Sequence, residues 1–431
     1  IFFGVFSFLD IFSPVLFFSL SISLSFLFPT LFSLACPSLS PFLPPSLPTH
    51  YIMFNKALSA SLWLHDKGML PDVITRLGSR QLIGIREKEI HSRSASERQQ
   101  YIQAFVDELK AMPIAINTSD ANEQHYEIPP EFYDYCLGKY QKYSCCFWNE
   151  NTPTLDDAEL HSLELTVERA KIQDGESVLE LGCGWGSLTM FMAKRFPKSK
   201  IVGVSNSNSQ REWITKRYEE RGLSNVTIIT CDINDFHPPK EVGLFDRVVS
   251  VEMFEHMKNY EKLLQRISTW MKPEATLFVH IFTHSTTPYH FEDENEDDWI
   301  TRYFFLGGTM PSDDLLLYFQ KDLTIKCHWQ ESGIHYAKTA RAWLEKMDAN
   351  IGKVKKLFAQ VYGEENATTW TARWRTFYIA VEELWKYNNG NEWTVSHYLF
   401  EKPKIEGQAP SRSVSTADMV KVEKTYTVFS Y

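Results

Sequence analysis

The chain has 431 residues, with 44 basic and 54 acidic side chains and a net charge of −10. That length suits one large domain with additions. The acidic balance argues against nucleic acid or an anionic membrane surface as the main partner. Seven cysteines, at 36, 136, 145, 146, 183, 231 and 327, form no C-x-x-C pair. Neither a zinc site nor a disulfide framework is indicated, no metal is expected, and scattered thiols suit a reducing cytoplasm.

Residues 1–52 differ from the rest. Up to residue 49 they carry one charge, Asp10, among Phe, Leu, Ser and Pro, and the first Met is Met53. Val15 to Phe32 is long enough for a membrane span, but Pro14, Pro29 and serines interrupt it. A secretory signal lacks its basic start and small-residue cleavage site. The third and preferred reading is non-native upstream sequence, or a disordered extension, with the working chain starting at Met53. If present, the segment is an aggregation liability.

The remainder divides into a helical region, 53–150, a core, 151–284, cap helices with the last strands, 285–403, and a polar tail, 404–431. Ser96 to Met112 reads as a helix with a polar face, and Asn151 to Lys171 contains another. The core alternates strand and helix as a parallel sheet requires. Strands are expected at Ser177–Leu181, Lys200–Ser205, Val226–Cys231, Phe245–Val251 and Ala275–Phe282. Helices are expected at Thr189–Arg195, Gln210–Arg221 and Tyr260–Met271. Residues 285–320 break the alternation, and the acidic run Glu292 to Asp298 reads as a solvated loop or as an attractor for a cation. Two last strands, Leu323–His328 and Val395–Phe400, enclose helices at Ala340–Tyr362 and Thr368–Tyr387.

Val178-Leu-Glu-Leu-Gly-Cys-Gly-Trp-Gly186 is the most informative stretch. An apolar strand enters a glycine turn and then a helix, the start of a nucleotide-type α/β fold with its ligand at the carboxyl ends of the strands. The spacing G-x-G-x-G departs from the dinucleotide fingerprint. With Glu180 inside the strand, it points to S-adenosylmethionine rather than NAD.

Glu252-Met-Phe-Glu-His-Met-Lys-Asn-Tyr260 resembles the active-site signature of the plant coclaurine N-methyltransferases, which group with the bacterial cyclopropane fatty acid synthases. The similarity runs from about Met53 to Pro403. It includes Gln124-His-Tyr-Glu-Ile-Pro129, Lys142-Tyr-Ser144, Gly307-Gly-Thr-Met-Pro311 and Tyr387-Asn-Asn-Gly390. The resemblance implies a class I methyltransferase fold: a Rossmann-like seven-stranded α/β sheet with N-terminal helices and a helical cap. It assigns cofactor contacts to Tyr143, Ser144, Gly182, Gly184, Asn206, Gln210, Asp232 and Ile233. Asp232 also has an ordinary alternative, as the cap of a turn.

The activity implied is methyl transfer to a small alkaloid-like amine by in-line displacement. A free alkylamine is mostly protonated near neutral pH, so a base beside the nitrogen helps. Glu255 and His256 are assigned to positioning and deprotonating the amine, and Glu252 to holding the cation. A second set complicates the substrate. Cys145, Glu255, His280 and Tyr336 fall where the cyclopropane synthases bind bicarbonate. The alkaloid enzymes lack that cysteine, Phe282 stands where the synthases carry Ile, and Phe377-Tyr-Ile-Ala380 lacks the synthases' late-helix cysteine. A cyclopropane synthase or lipid C-methyltransferase using a bicarbonate base is therefore the alternative. A cofactor-binding regulator with a dead site is the third reading. The expected partner is a small-molecule amine, with no nucleic acid, no membrane unless residues 1–52 are native, and a homodimer left open.

Overall fold

Five apolar runs build the centre of the molecule. The computed structural model describes residue 61 and residues 63–116, 128–291, 304 and 307–404. The 1–52 extension, the first part of the Gln124–Pro129 motif, the acidic run from Glu292 to Asp298 and the tail after 404 lie outside the described residues. Strands β1 (Ser177–Leu181), β2 (Lys200–Ser205), β3 (Val226–Thr230), β4 (Phe245–Val251) and β5 (Met271–His284) pair in parallel. A two-stranded ribbon, β6 (Tyr289–His290) with β7 (Thr309–Met310), follows, then β8 (Thr324–Glu331) and β9 (Trp393–Glu401).

The main sheet has seven strands in the order β3-β2-β1-β4-β5-β9-β8. β9 runs antiparallel to both β5 and β8. The inner strands are buried on both faces, which is why they read as continuous apolar runs. β8 instead alternates exposed and half-buried positions and carries Lys326 and Glu331, as an edge strand does.

Helices cover both faces. α1 (Asp72–His91) and α2 (Ala95–Ala111) precede α3 (Pro130–Cys136) and α4 (Leu155–Arg169). Within the core come α5 (Ser187–Arg195), α6 (Asn208–Glu220) and α7 (Tyr260–Trp270). Ser94 and Glu97 form a capping box on α2, and Thr154 and Asp157 form another on α4. Each satisfies amide donors that a helix start leaves without partners. Gly186, at φ +79°, starts α5 directly from the glycine turn.

Over the sheet lies a cap of α8 (Ile334–Ala349), α9 (Ile351–Tyr362) and α10 (Ala367–Lys386). The single helix expected over Ala340–Tyr362 is thus two. Asn350 leaves the helical path and donates its side-chain amide to the carbonyls of Lys346 and Tyr135, closing one helix before the next begins. α1 is fastened to α10 by ion pairs from Arg76 to Glu382 and Glu383, at 2.8 and 2.6 Å, and from Arg80 to Glu383 at 2.6 Å. No helix among the described residues is long and apolar enough to cross a membrane.

Candidate active site

Register aligns the carboxyl ends of the central strands. Leu181 pairs with Val204 and with Ser250, and Ser205 pairs with Thr230. Gly182, Asn206, Cys231 and Glu252 therefore emerge along one edge, at the point where strand order reverses between β1 and β4.

The glycine turn leaves space at this edge. Gly182 has φ +76°, and a Cβ there would lie 2.7 Å from the Cβ of Met253. Gly184, at φ +51°, faces open space. Gln210, in the first turn of α6, accepts from the Ser205 hydroxyl at 2.6 Å, while its buried Nε2 has no hydrogen-bond partner among the described residues. Asp232 does act as a turn cap, its Oδ1 accepting from Asn234 N–H at 2.7 Å. The carbonyl of Ile233 accepts from Arg266 at 3.1 Å.

Tyr143 and Ser144 arrive on a loop held by Glu159 of α4. This buried carboxylate accepts from the backbone N–H groups of Gly138, Tyr140 and Lys142, at 2.8, 2.7 and 3.3 Å. Burial raises its pKa to about 7 despite those three bonds. The buried Lys142 ammonium donates to Ser144 Oγ at 2.6 Å and to the Cys145 carbonyl at 2.5 Å.

Beyond the turn lies a cavity of about 550 Å³, open solvent at its mouth included. Phe282, Trp343, Phe377 and Trp385 are among its apolar walls, and Glu252, Glu255, His256, Tyr143 and Tyr336 also line it.

Glu252 begins the signature with φ +48°, a left-handed conformation that costs a non-glycine residue roughly 1–3 kcal/mol. Its amide donates to the carbonyl of His280 at 2.9 Å, which holds that bend. Oε1 accepts from Cys145 N–H at 2.8 Å and from His280 Nε2 at 3.2 Å. Oε2 accepts from the Tyr336 hydroxyl at 2.7 Å. Burial pushes this carboxyl upward, but the His280 bond and the nearby Lys142 charge leave its pKa below the ordinary value.

Glu255 is built differently. It sits in the single turn Phe254–His256, fixed by Tyr260, whose hydroxyl donates to the Phe254 carbonyl at 3.0 Å. Its Oε2 is buried with no hydrogen-bond partner among the described residues. Burial, and then the negative charge of Glu252, raise its pKa well above the ordinary carboxyl value. An unpaired buried carboxyl facing a cavity is unsatisfied unless protonated or met by a cation.

The carboxylate hydrogen-bonded to Cys145 N–H, His280 and Tyr336 is that of Glu252, and Glu255 lines the same cavity beside it. The left-handed bend at Glu252 turns its carboxylate into the three donors, and Glu255 lies one helical turn further on.

A family model for mycolic acid cyclopropane synthetase matches residues 115–385. The chain is 43% identical over 298 residues to (S)-coclaurine N-methyltransferase of Thalictrum flavum subsp. glaucum, covering 68% of this chain and 82% of that one. It is 40% identical over 301 residues to pavine N-methyltransferase of the same plant, covering 69% and 84%. A crystal structure of coclaurine N-methyltransferase bound to N-methylheliamine and SAH superposes with a TM-score of 0.77 at 38% identity, covering 80% of this chain and 100% of that one.

The chain belongs to the mycolic acid cyclopropane synthetase family of S-adenosylmethionine-dependent methyltransferases.

For this methyltransferase the edge fits the cofactor. Gly184 leaves room for a ligand, and the Gln210 amide, without a partner among the described residues, offers a donor. The glycine turn, Asn206, Gln210 and the Asp232–Ile233 turn lie along that edge. Tyr143 lines the cavity, and Gly182 packs close to Met253, the residue after Glu252. Reading the sequence missed Glu159, Arg169, His397 and the walls Trp343, Val381 and Trp385. The walls lie on cap helices whose approach to the signature is set only by tertiary packing. His397 faces His280 across two antiparallel strands, a register that no local pattern announces.

Proposed function

We propose that this enzyme transfers a methyl group from S-adenosylmethionine to the nitrogen of a small, aromatic, alkaloid-like amine. The observation that carries the reading is the pair of unlike carboxyls that line one aromatic cavity. Glu252 is an oriented anion and attracts an ammonium. Glu255 has a raised affinity for protons and one carboxyl oxygen without a hydrogen-bond partner among the described residues, so it suits the role of base. A free alkylamine has a pKa near ~10 and must lose its proton before its lone pair can attack. The electron-rich faces of the wall rings favour the cation as it enters. His256 lines the same cavity, where it could help orient the amine. Trp343 and Trp385 each keep a buried indole N–H without an acceptor among the described residues.

The cofactor, when bound at the glycine turn, supplies a sulfonium methyl already activated for displacement. The protein's task is then to place the nitrogen in line with it. Tyr143, Ser144, Gly182, Gly184, Asn206, Gln210, Asp232 and Ile233 would hold that cofactor.

Lipid modification is the second reading, favoured by Cys145, His280 and Tyr336 occurring together. Against it, the backbone N–H of Cys145 and the side chains of His280 and Tyr336 are already bonded to the carboxylate of Glu252. A free anion finds those donors taken.

The test is transfer of labelled methyl from S-adenosylmethionine by the full chain to a panel of aromatic amines and, separately, to unsaturated phospholipid vesicles. The expected outcome is label on the amine, at a rate unaffected by added bicarbonate. Label confined to lipid, or a rate that depends on bicarbonate, contradicts the proposal.

A further inference from the structure

Behind Glu252 runs a line of hydrogen bonds that no motif of the sequence contains. Arg169, the last residue of α4, places one guanidinium nitrogen 2.6 Å from Nδ1 of His397 and another 2.5 Å from Glu331. His397 Nε2 lies 2.9 Å from His280 Nδ1. His280 Nε2 lies 3.2 Å from Glu252 Oε1. Both histidines are fully buried, and the Phe147 ring lies 5.2 Å from His397 and 5.8 Å from His280.

Only one direction satisfies this line. Arginine donates and cannot accept. Nδ1 of His397 must therefore carry a lone pair, which puts its proton on Nε2. That proton is donated to Nδ1 of His280, which in turn carries its own proton on Nε2, aimed at Glu252. Burial lowers the pKa of both imidazoles, and the charges of Arg169 and Lys142 act in the same sense, against the opposite pull of Glu252 on His280. The line cannot carry a proton outward, because Arg169 has no site to receive it.

We propose that Arg169 is a positioning residue for methyl transfer. Through His397 and His280 it fixes the tautomer that presents an N–H to Glu252, and so holds Glu252 as an oriented carboxylate. The kinetic part rests on the reading of Glu252 as the anion that receives the amine; the tautomer part does not. Arg169 itself is anchored by Glu331 and by the Trp329 ring, 4.9 Å from its guanidinium carbon. The titratable and charged groups facing the line are Lys142 and Cys145 from the loop, Glu255 from the turn, Tyr336 from α8 and Glu331 from β8.

The test reads the tautomers directly, by ¹⁵N NMR of the full chain labelled at histidine, with His280 and His397 assigned from His280→Gln and His397→Gln. At neutral pH both should be neutral with the proton on Nε2. An imidazolium, or a proton on Nδ1 of either ring, overturns the proposal. This measurement needs no methyl acceptor, so it stands even if the amine reading fails. Arg169→Leu should lower kcat at least about tenfold, as loss of a tautomer-fixing partner does. Affinity for SAH should stay within about twofold, while KM for the amine rises together with the fall in kcat, because Glu252 no longer meets the amine in a fixed orientation. Arg169→Lys, which still donates, should recover most of the rate. If Lys is as damaging as Leu, or if only KM changes, Arg169 is not a positioning residue. If Arg169→Leu does not fold, the wild-type tautomers and the Lys variant decide.

Discussion

The two halves of the site are built by different means. At the strand edge, ligand space is made by backbone: left-handed glycines, strand register and a helix start. Under the cap, it is made by side chains drawn from the 143–145 loop, the 252–256 turn, β5, α8 and α10. Within the second half the contrast repeats on a smaller scale. Glu252 has both oxygens bonded, whereas Glu255 has a buried oxygen with no partner among the described residues. A fixed carboxylate can orient and attract charge. One that binds protons tightly can also exchange them. On the proposed reading, binding and proton transfer are divided between two residues three positions apart.

The sharpest way to break that division is Glu255→Gln, which keeps the shape and removes the base. Activity should fall by about 10²–10⁴-fold, the usual worth of a positioned base, with SAH affinity unchanged in a binding titration. Loss of SAH binding would mean that the two halves are not separable.

Gly182→Ala attacks the backbone half. The new methyl meets Met253 at 2.7 Å, and the φ of +76° costs an alanine about 1–2 kcal/mol. SAH affinity should weaken at least about tenfold, since 1.4 kcal/mol is a factor of ten. Because Met253 adjoins Glu252, amine KM should rise too. An unchanged KM would show that the contact between the halves carries nothing.

Glu159→Gln acts on stability rather than on the chemistry. It replaces a three-bond acceptor under the 138–142 loop and should cost about 1–3 kcal/mol, read as a lower Tm. Its pH signature has a definite sign. The folded pKa of Glu159 is raised from 4.5 to about 7. The folded state therefore holds the extra proton, and the wild type loses stability as pH rises through that window. The variant should lack this loss. A parallel pH dependence of Tm in the two proteins would contradict the assignment.

Legibility in the sequence followed the same divide. The glycine turn, the alternation of strands and helices and the signature at 252–260 are local patterns, and each strand expected in the core is present to within a few residues. Residues 285–320 broke the alternation as read, and the β6–β7 ribbon lies there. The bonding of Glu252 to Cys145, His280 and Tyr336 was not legible, because it depends on a left-handed φ at a glutamate. Nor was the Arg169–His397–His280 line, whose members come from α4, β9 and β5 and meet only once the sheet closes. Glu159 was hidden in a helix that reads as an ordinary amphipathic one.

The measurement that bears most directly on the account is the pH dependence of kcat/KM for methyl transfer to an aromatic amine by the wild type and Glu255→Gln. The account predicts a wild-type rate that climbs with pH through a group raised above 4.5 and then levels. In Glu255→Gln that limb should be gone, leaving a low rate that rises only as the amine itself loses its proton. A variant that keeps the wild-type limb and near-normal rate would show that Glu255 is not the base.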